Sequence, residues 1–508
     1  MTTTPTNNSE TESLTYGNWQ AKPRGGMFKL GNAGTLVAGG VILGMMVCFA
    51  VFGLLVGLIW AGVGIGAVAL AAIRDRDQRT TIEKIGTRLQ ALAARGTRSN
   101  VYRSAALTPP GVTRPTGIAS SITVTEWENE YGQPFALLSY PQGYHTIVFS
   151  SSPDGSTNAD EDDVNLMVAY YSEWLATQSS VPGLLGSSVT VETAPDTGGG
   201  LRRSIEESEA DDAPPLCREV MDEIADRYPE GSADTRCWIS FTFTEKGRIE
   251  RDRDRQVRIQ RMAASVAQDM ADLIATLAHA GAGAVVPVDV QTLCELMRVS
   301  YDPEVAPEVE AAHAAGVSIE AMTWDRSGPV AHQEHWGYYL HDSGISSSFV
   351  MTRPPRQAVP ATVLRRLFAP GPYARKRITL AYQVLPDEEA ADAVDKNLAD
   401  ATFAENTAKK KTARHKRQIQ AAELTAREEA GGAGVVDFTI YATVTLLGND
   451  VKAIEAASVK LRNSAAASKL RMRRLYGAQA AGFHLTQPLG LQPKLHVASP
   501  QMIAGENR

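Results

Sequence analysis

Residues 30–73 read LGNAGTLVAGGVILGMMVCFAVFGLLVGLIWAGVGIGAVALAAI, a stretch with no charged side chain between Lys29 and Arg74. At about 1.5 Å per helical residue the run extends roughly 66 Å, against a hydrocarbon core of about 30 Å. One crossing cannot use that length; two helices joined by a short turn at Gly53 or Gly57 can. Lys22, Arg24 and Lys29 precede the run and Arg74, Arg76 and Arg79 follow it, and basic residues beside spans stay on the cytoplasmic side. The pattern predicts a two-span membrane protein, in contact with the lipid bilayer, with both termini cytoplasmic. Small residues recur as Gly40-xxx-Gly44, Gly53-xxx-Gly57 and Gly62-xxx-Gly66. That spacing lets helices approach closely, so these six glycines are candidate helix-packing positions.

Outward from the run, the composition is that of a folded, water-exposed mass. Charged residues make up 21% of the 508 and the net charge is −7, which argues against direct nucleic-acid binding, since that rests on neutralising phosphates. Cys48, Cys217, Cys237 and Cys294 are widely spaced with no CxxC, the usage of unpaired thiols in a reducing compartment. Six regions follow. Residues 1–32 are a tail, disordered at its Thr/Asn/Ser-rich start and interfacial where Trp19, Phe28 and the basic residues gather. Residues 33–73 form the transmembrane hairpin, and 74–116 a juxtamembrane helix and linker. Two cytosolic α+β domains span 117–300 and 301–490, and 491–508 is a C-terminal tail.

Within 117–490 the patterns alternate between periods of about two and 3.6 residues. Strands are predicted at 121–127, 135–140, 144–150, 186–193, 236–244, 283–287, 335–341, 346–352, 376–384 and 435–447. Helices are predicted at 162–176, 213–228, 254–280, 289–298 and 450–465. Met262, Val266, Met270, Leu273 and Leu277 make the clearest stripe, and a single long helix is expected from Asp387 to Glu429. The order strand, helix, strand, strand, helix, strand occurs twice. The fold class is thus α+β: the two-helix transmembrane hairpin followed by two ferredoxin-like units with a long helix.

Chemistry is notable for what is missing. No G-x-x-x-x-G-K-[ST], G-x-S-x-G or H-E-x-x-H occurs, so the loop whose backbone and Lys hold nucleotide phosphates is lacking. His332, His335 and His341 approach a metal-ligand spacing without a third and fourth ligand of known pattern, and Asp342-Ser343-Gly344 reads as a β-turn. No catalytic, metal or cofactor residue is assigned, and no enzyme activity is expected. Lys409, Lys410, Lys411, Arg414, Lys416 and Arg417 form the densest positive cluster. On a helix it is a solvated basic cylinder or a docking element for an acidic partner or anionic lipid headgroups.

The stretch from Trp238 to Met297 resembles the central domain of EccE, the peripheral membrane component of mycobacterial type VII secretion. The likeness is carried by a Thr/Phe-alternating strand, a helix with Leu273 and Leu277, the Gly281-Ala-Gly-Ala turn, and Leu293 with Leu296-Met297-Arg298. A hairpin fused to paired α+β units, ending in Ala481-Gly-Phe-His-Leu-Thr-Gln-Pro-Leu-Gly490, is similar to the membrane subunit and N-terminal half of VirB-type conjugation ATPases, without the motor. The resemblance implies a non-catalytic component of the bacterial inner membrane in an actinobacterial secretion or conjugative DNA-transfer apparatus. It would dock a separately encoded P-loop ATPase and sibling subunits as a homo- or hetero-oligomer. The alternative from another class is a membrane-tethered, ligand-binding regulatory protein.

Overall fold

The computed structural model of the chain describes residues 16, 31–72, 81–104, 112–153, 155, 159–196, 198–210, 212–227, 233–314, 322–355, 358–407 and 413–493. The basic residues flanking the uncharged run, Trp19, Phe28 and most of the expected terminal tails lie outside these. Tyr16 is tied to the folded body: it exchanges backbone hydrogen bonds with Val359 at 2.8 and 2.7 Å, and its hydroxyl donates to Asn165 Oδ1 at 2.6 Å.

The uncharged run divides at Gly53, whose φ of 82° is a left-handed conformation that only glycine enters without a Cβ penalty. It yields α1 (Gly31–Phe52) and α2 (Leu54–Ala72), packed on each other. Among the described residues no helix is long and apolar enough to cross a membrane, which overturns the two-span, plasma-membrane placement with both termini cytoplasmic. The transmembrane part of the expected fold class falls with it.

Next come α3 (Thr81–Gly96) and β1 (Val101–Arg103), the latter inside the expected linker. The first half contains β2 (Thr123–Glu128), β3 (Pro134–Ser139), β4 (Tyr144–Ser152), α4 (Glu161–Thr177) and β5 (Leu184–Pro195). It continues with α5 (Gly199–Ser208), α6 (Pro215–Arg227), β6 (Ala233–Thr244), α7 (Arg255–Leu277), β7 (Ala284–Pro287) and α8 (Val290–Tyr301). Helix α9 (Ala306–Ala314) leads to the second half, with β8 (Ala331–Glu334), β9 (Tyr339–His341), β10 (Gly344–Arg353), α10 (Arg365–Phe368) and β11 (Arg375–Val384). Then follow α11 (Asp387–Thr407), α12 (Ala413–Ala430), β12 (Val436–Leu447), α13 (Val451–Ala467), β13 (Arg471–Arg474) and α14 (Gln479–Leu485). The single long helix expected at 387–429 is two packed helices, α11 and α12. Between Phe403 and Ile419 the chain has no large apolar residue, so nothing anchors a continuous helix to the body.

The fold is α+β, built on one large antiparallel sheet in which the two halves repeat a single topology. In the first, the strands lie in the order β7-β4-β6-β5, with the β2–β3 hairpin on the same edge of β4 as β7; in the second the order is β13-β10-β12-β11, with β8–β9 beside β10. Equivalent strands match in length: β6 and β12 have 12 residues each, β7 and β13 four. The seam is β5 against β11, antiparallel from Lys376↔Thr193 to Gln383↔Gly186. Antiparallel pairing of equivalent strands places a pseudo-two-fold axis at the seam, the arrangement of an isologous dimer fused into one chain. There Thr190 and Thr379 face each other, hydroxyl to hydroxyl, at 2.9 Å.

Alternation along the strands sends one set of side chains to each face. On one face α7 buries Ile259, Met262, Val266, Met270, Leu273 and Leu277 against Phe149, Phe241 and Phe243, while α13 buries Ile454, Ala457, Leu461 and Ala465 against Ile440, Ala442 and Val444. On the other face α8 and α14 pack Leu293, Met297, Tyr301 and Phe483 against Leu138, Val148 and Trp238.

Candidate functional site

The face under α8 and α14 is polar at its centre. Thr146–Thr242 in the first half and Ser346–Thr445 and Ser348–Thr443 in the second are buried cross-strand hydroxyl pairs at 2.7–2.9 Å. The C-terminal segment lies across them: Ser240 Oγ donates to the Pro488 carbonyl at 3.1 Å and Thr242 Oγ1 to the Gly490 carbonyl at 2.8 Å, and Tyr140 donates to the Leu489 carbonyl. Gly490, with φ of 61°, comes so close to Thr146 and Thr242 that a Cβ would collide with both. Beside the seam Glu192, 3% exposed, sits between two guanidiniums. Arg377 Nε is 2.5 Å from its Oε2, and Arg375 Nη1 bonds its Oε1. Burial acts to raise the Glu192 pKa, but the charges of Arg375, Arg377 and Arg236 outweigh it and hold the carboxyl below its ordinary value. Arg377 reaches on to Ser300 Oγ at 2.7 Å.

Two buried histidines, His341 and His484, and the half-buried His332 lie next to this network. His341 Nδ1 and His484 Nδ1 sit 2.6 and 2.7 Å from the carbonyls of Tyr301 and Ala480. Each therefore carries its proton on Nδ1 and accepts on Nε2, from Ser346 Oγ and the Tyr301 hydroxyl respectively, both at 2.6 Å. Burial pulls His341 down to about 3 and His332 and His484 to about 4, so all three are neutral near pH 7. His332 and His341 are cross-strand partners on β8 and β9, and among the described residues no group of three His, Cys, Asp or Glu could hold a metal ion.

The buried nucleophiles serve the structure, while Cys217 is exposed. Burial raises the thiols of Cys237 and Cys294 to about 11 and about 12, far from the thiolate that chemistry needs. Lys376, lowered to about 8 by burial, donates to the Leu367 and Ala369 carbonyls at the end of α10. Asp342 and Ser343 make the β9–β10 turn: Asp342 accepts from the Ala331 amide and Arg298, and Ser343 donates to Asp302. A cleft of about 720 Å3 between β2 and α8, lined by Arg114, Glu126, Gln291, Trp324 and Asp325, is open to solvent, with Arg114 and Asp325 in an exposed ion pair.

The expected docking cluster lies where α11 gives way to α12. Lys416 is exposed on α12, Arg414 and Arg417 are on the same helix, and Lys409, Lys410 and Lys411 fall outside the described residues. The glycines of the α1–α2 hairpin play different parts. Gly53 makes the turn, and Gly44 and Gly57 lie beneath the rings of Trp60 and Phe49. Added Cβ atoms at Gly40, Gly62 and Gly66 would meet nothing. Gly64, against Val41, is a close approach the spacing did not single out. Sequence patterns also missed the buried hydroxyl pairs and Glu192–Arg375–Arg377; the signal available was Arg375-Lys-Arg377 inside a strand, since three cations there need buried partners.

Residues 23–83, from before α1 into the start of α3, match a family described as a domain of unknown function (DUF8461). No curated protein matches the chain.

Proposed function

We propose that this chain is a non-catalytic scaffold of a bacterial secretion or conjugative DNA-transfer apparatus, EccE-like and akin to the non-motor half of VirB-type ATPases, which docks a separately encoded P-loop ATPase and sibling subunits. Membrane anchorage forms no part of the proposal. The observation that carries it is the doubled βαββαβ topology sharing one sheet, with the buried Glu192, Arg375, His341 and His484 held in internal hydrogen bonds. What such a fold offers a partner is surface, chiefly the exposed helices inserted between β5 and β6 and between β11 and β12. Full-length chain co-expressed with the P-loop ATPase encoded beside it should co-elute with that ATPase, and alone should give no heat on titration with ATP. ATP hydrolysis by the isolated chain, or failure to retain the ATPase at low salt, refutes the reading.

A further inference from the structure

The two halves of the sheet finish equivalent edges differently. Hairpin β8–β9 lies beside β10 as β2–β3 lies beside β4. The match extends to single residues: Glu334 Oε1 accepts the Ala480 amide at the start of α14 at 3.1 Å, and Glu126 Oε2 accepts the Val290 amide at the start of α8 at 3.2 Å. Beyond β8 a further strand is added. Strand β1 runs antiparallel to it, with Tyr102 facing His332, and the Glu334 amide donates to the Asn100 carbonyl at 2.8 Å. Beyond β2 nothing is added: among the described residues no backbone hydrogen bond joins 123–128 to anything but β3.

The ladder fixes which groups are left bare. The Asn129 amide donates to the Gln133 carbonyl at 3.0 Å, whereas the Ala136 amide donates away from the hairpin, to the Val288 carbonyl at 2.8 Å. Ala136 faces Glu126, so alternation turns the N–H and C=O groups of Val124, Glu126 and Glu128 outward, along about 14 Å of strand. Such an edge is a template for an extended chain. The cleft of about 720 Å3 between β2 and α8 runs beside it and gives that chain room.

Charge narrows the choice of occupant. Across the cleft Arg114 and Asp325 offset each other in their ion pair, while Glu126 and Glu128 are exposed on one face of β2. Arg255 lies on the other face, bonded to Thr123 Oγ1 at 3.1 Å. Basic side chains directly opposite Glu126 and Glu128 make favourable cross-strand pairs.

We propose that the β2 edge docks an extended, basic segment of a partner chain, which joins the sheet as an antiparallel strand where β1 joins it in the second half. Backbone hydrogen bonds hold the segment, and Lys or Arg opposite Glu126 and Glu128 sets its register. This goes beyond the scaffold reading and does not depend on it.

The sequence of β1 supplies the probe, a synthetic peptide of residues 97–104 carrying Asn100→Lys. In the register that β1 takes on β8, it sets Tyr102 opposite Val124, the substituted position opposite Glu126 and Arg98 opposite Glu128. Hydrogen exchange of the full chain, in a mild non-ionic detergent that covers the exposed side chains of α1 and α2, should slow severalfold over 122–128 at millimolar peptide and stay unchanged over 331–334. In β1 the Asn100 carbonyl and the Ser104 amide both bond to the β8 side, so the Tyr102 amide between them faces the same way. N-methylation at Tyr102 should therefore abolish the slowing, and N-methylation at Val101 should not. Glu126→Gln/Glu128→Gln in the chain should raise the peptide needed severalfold; if that variant loses its circular dichroism, Glu128→Gln alone takes its place, with a smaller rise. No slowing over 122–128, slowing confined to 331–334, or equal slowing by the Tyr102-methylated peptide overturns the proposal. Slowing over 122–128 that grows with the concentration of the chain itself, without peptide, makes a second copy the occupant and overturns it too.

Discussion

Replacing Glu192 by Gln removes the one carboxylate that offsets two guanidiniums in the sheet interior. Glu192 is 3% and Arg377 1% exposed, so solvent cannot take over the neutralisation, and breaking such a pair from one side costs about 3–5 kcal/mol. The same cluster exchanged whole, as Glu192→Leu/Arg375→Met/Arg377→Met, leaves no orphaned charge and should fall within about 1–2 kcal/mol of the natural protein or exceed it. Urea unfolding followed through the buried Trp174 and Trp238 reads both. Acid adds a second signature. The Glu192 pKa is lowered on folding, so the stability its ionisation provides is complete above the ordinary carboxyl value of about 4.3 and is lost as pH falls through the lower folded value. The natural protein should therefore lose more stability than Glu192→Gln as pH falls below about 4. If Glu192→Gln unfolds within about 1 kcal/mol of the natural chain, the cluster behaves like an exposed ion pair and the burial argument fails.

Three further outcomes follow from particular contacts. His332, His341 and His484 have folded pKa values of about 4, 3 and 4, below the ordinary 6.5 or so. Stability should be complete above that and fall with pH beneath it, each histidine contributing up to about 1.4 kcal/mol per pH unit; His341→Gln should flatten the thermal-melting profile between pH 6 and 4, and an unchanged slope refutes the assignment. Thr190→Val or Thr379→Val alone leaves a buried hydroxyl unpaired and should cost about 1–3 kcal/mol, whereas the double change should be nearly neutral, as a denaturation double-mutant cycle can show. Gly57→Leu drives a side chain into the Phe49 ring and should speed amide exchange across α1, while Gly62→Ala, which meets nothing, should not.

The strand and helix framework was readable because its periods are unmixed. Phe149, Phe241 and Phe243 alternate, and Met262 to Leu277 keep a 3.6-residue stripe, so β4, β6 and α7 fall where the pattern places them. Short elements escaped. Strands β8 and β13 are four residues each and rich in His, Gln or Arg, with no apolar alternation, and exist because a neighbouring strand offers hydrogen bonds. The long helix at 387–429 failed for the converse reason, since charged helical propensity continues across a break that only packing reveals. The two-span reading was drawn from the length and hydropathy of the run and the basic residues beside it, whereas among the described residues no helix is long and apolar enough to cross a membrane. The buried hydroxyl pairs were invisible because they join strands far apart in sequence, Thr190 with Thr379 at the seam and Thr146 with Thr242 between β4 and β6.

The C-terminal segment closes the polar face of a sheet made much earlier in the chain. Ser240, Thr242 and Tyr140 find their acceptors only at Pro488, Gly490 and Leu489. During synthesis at about 5–20 residues per second, the first half therefore waits roughly 10–50 s before its last partners leave the ribosome. Throughout that interval its β5 edge, later covered by β11, is an open template for any strand nearby. The newborn first half is thus open to mispairing until β11 is made, and Pro488 to Gly490 act as the latch that closes its polar face. Nascent chains stalled before Thr486 should stay bound to chaperones, and those released after Leu491 should let go.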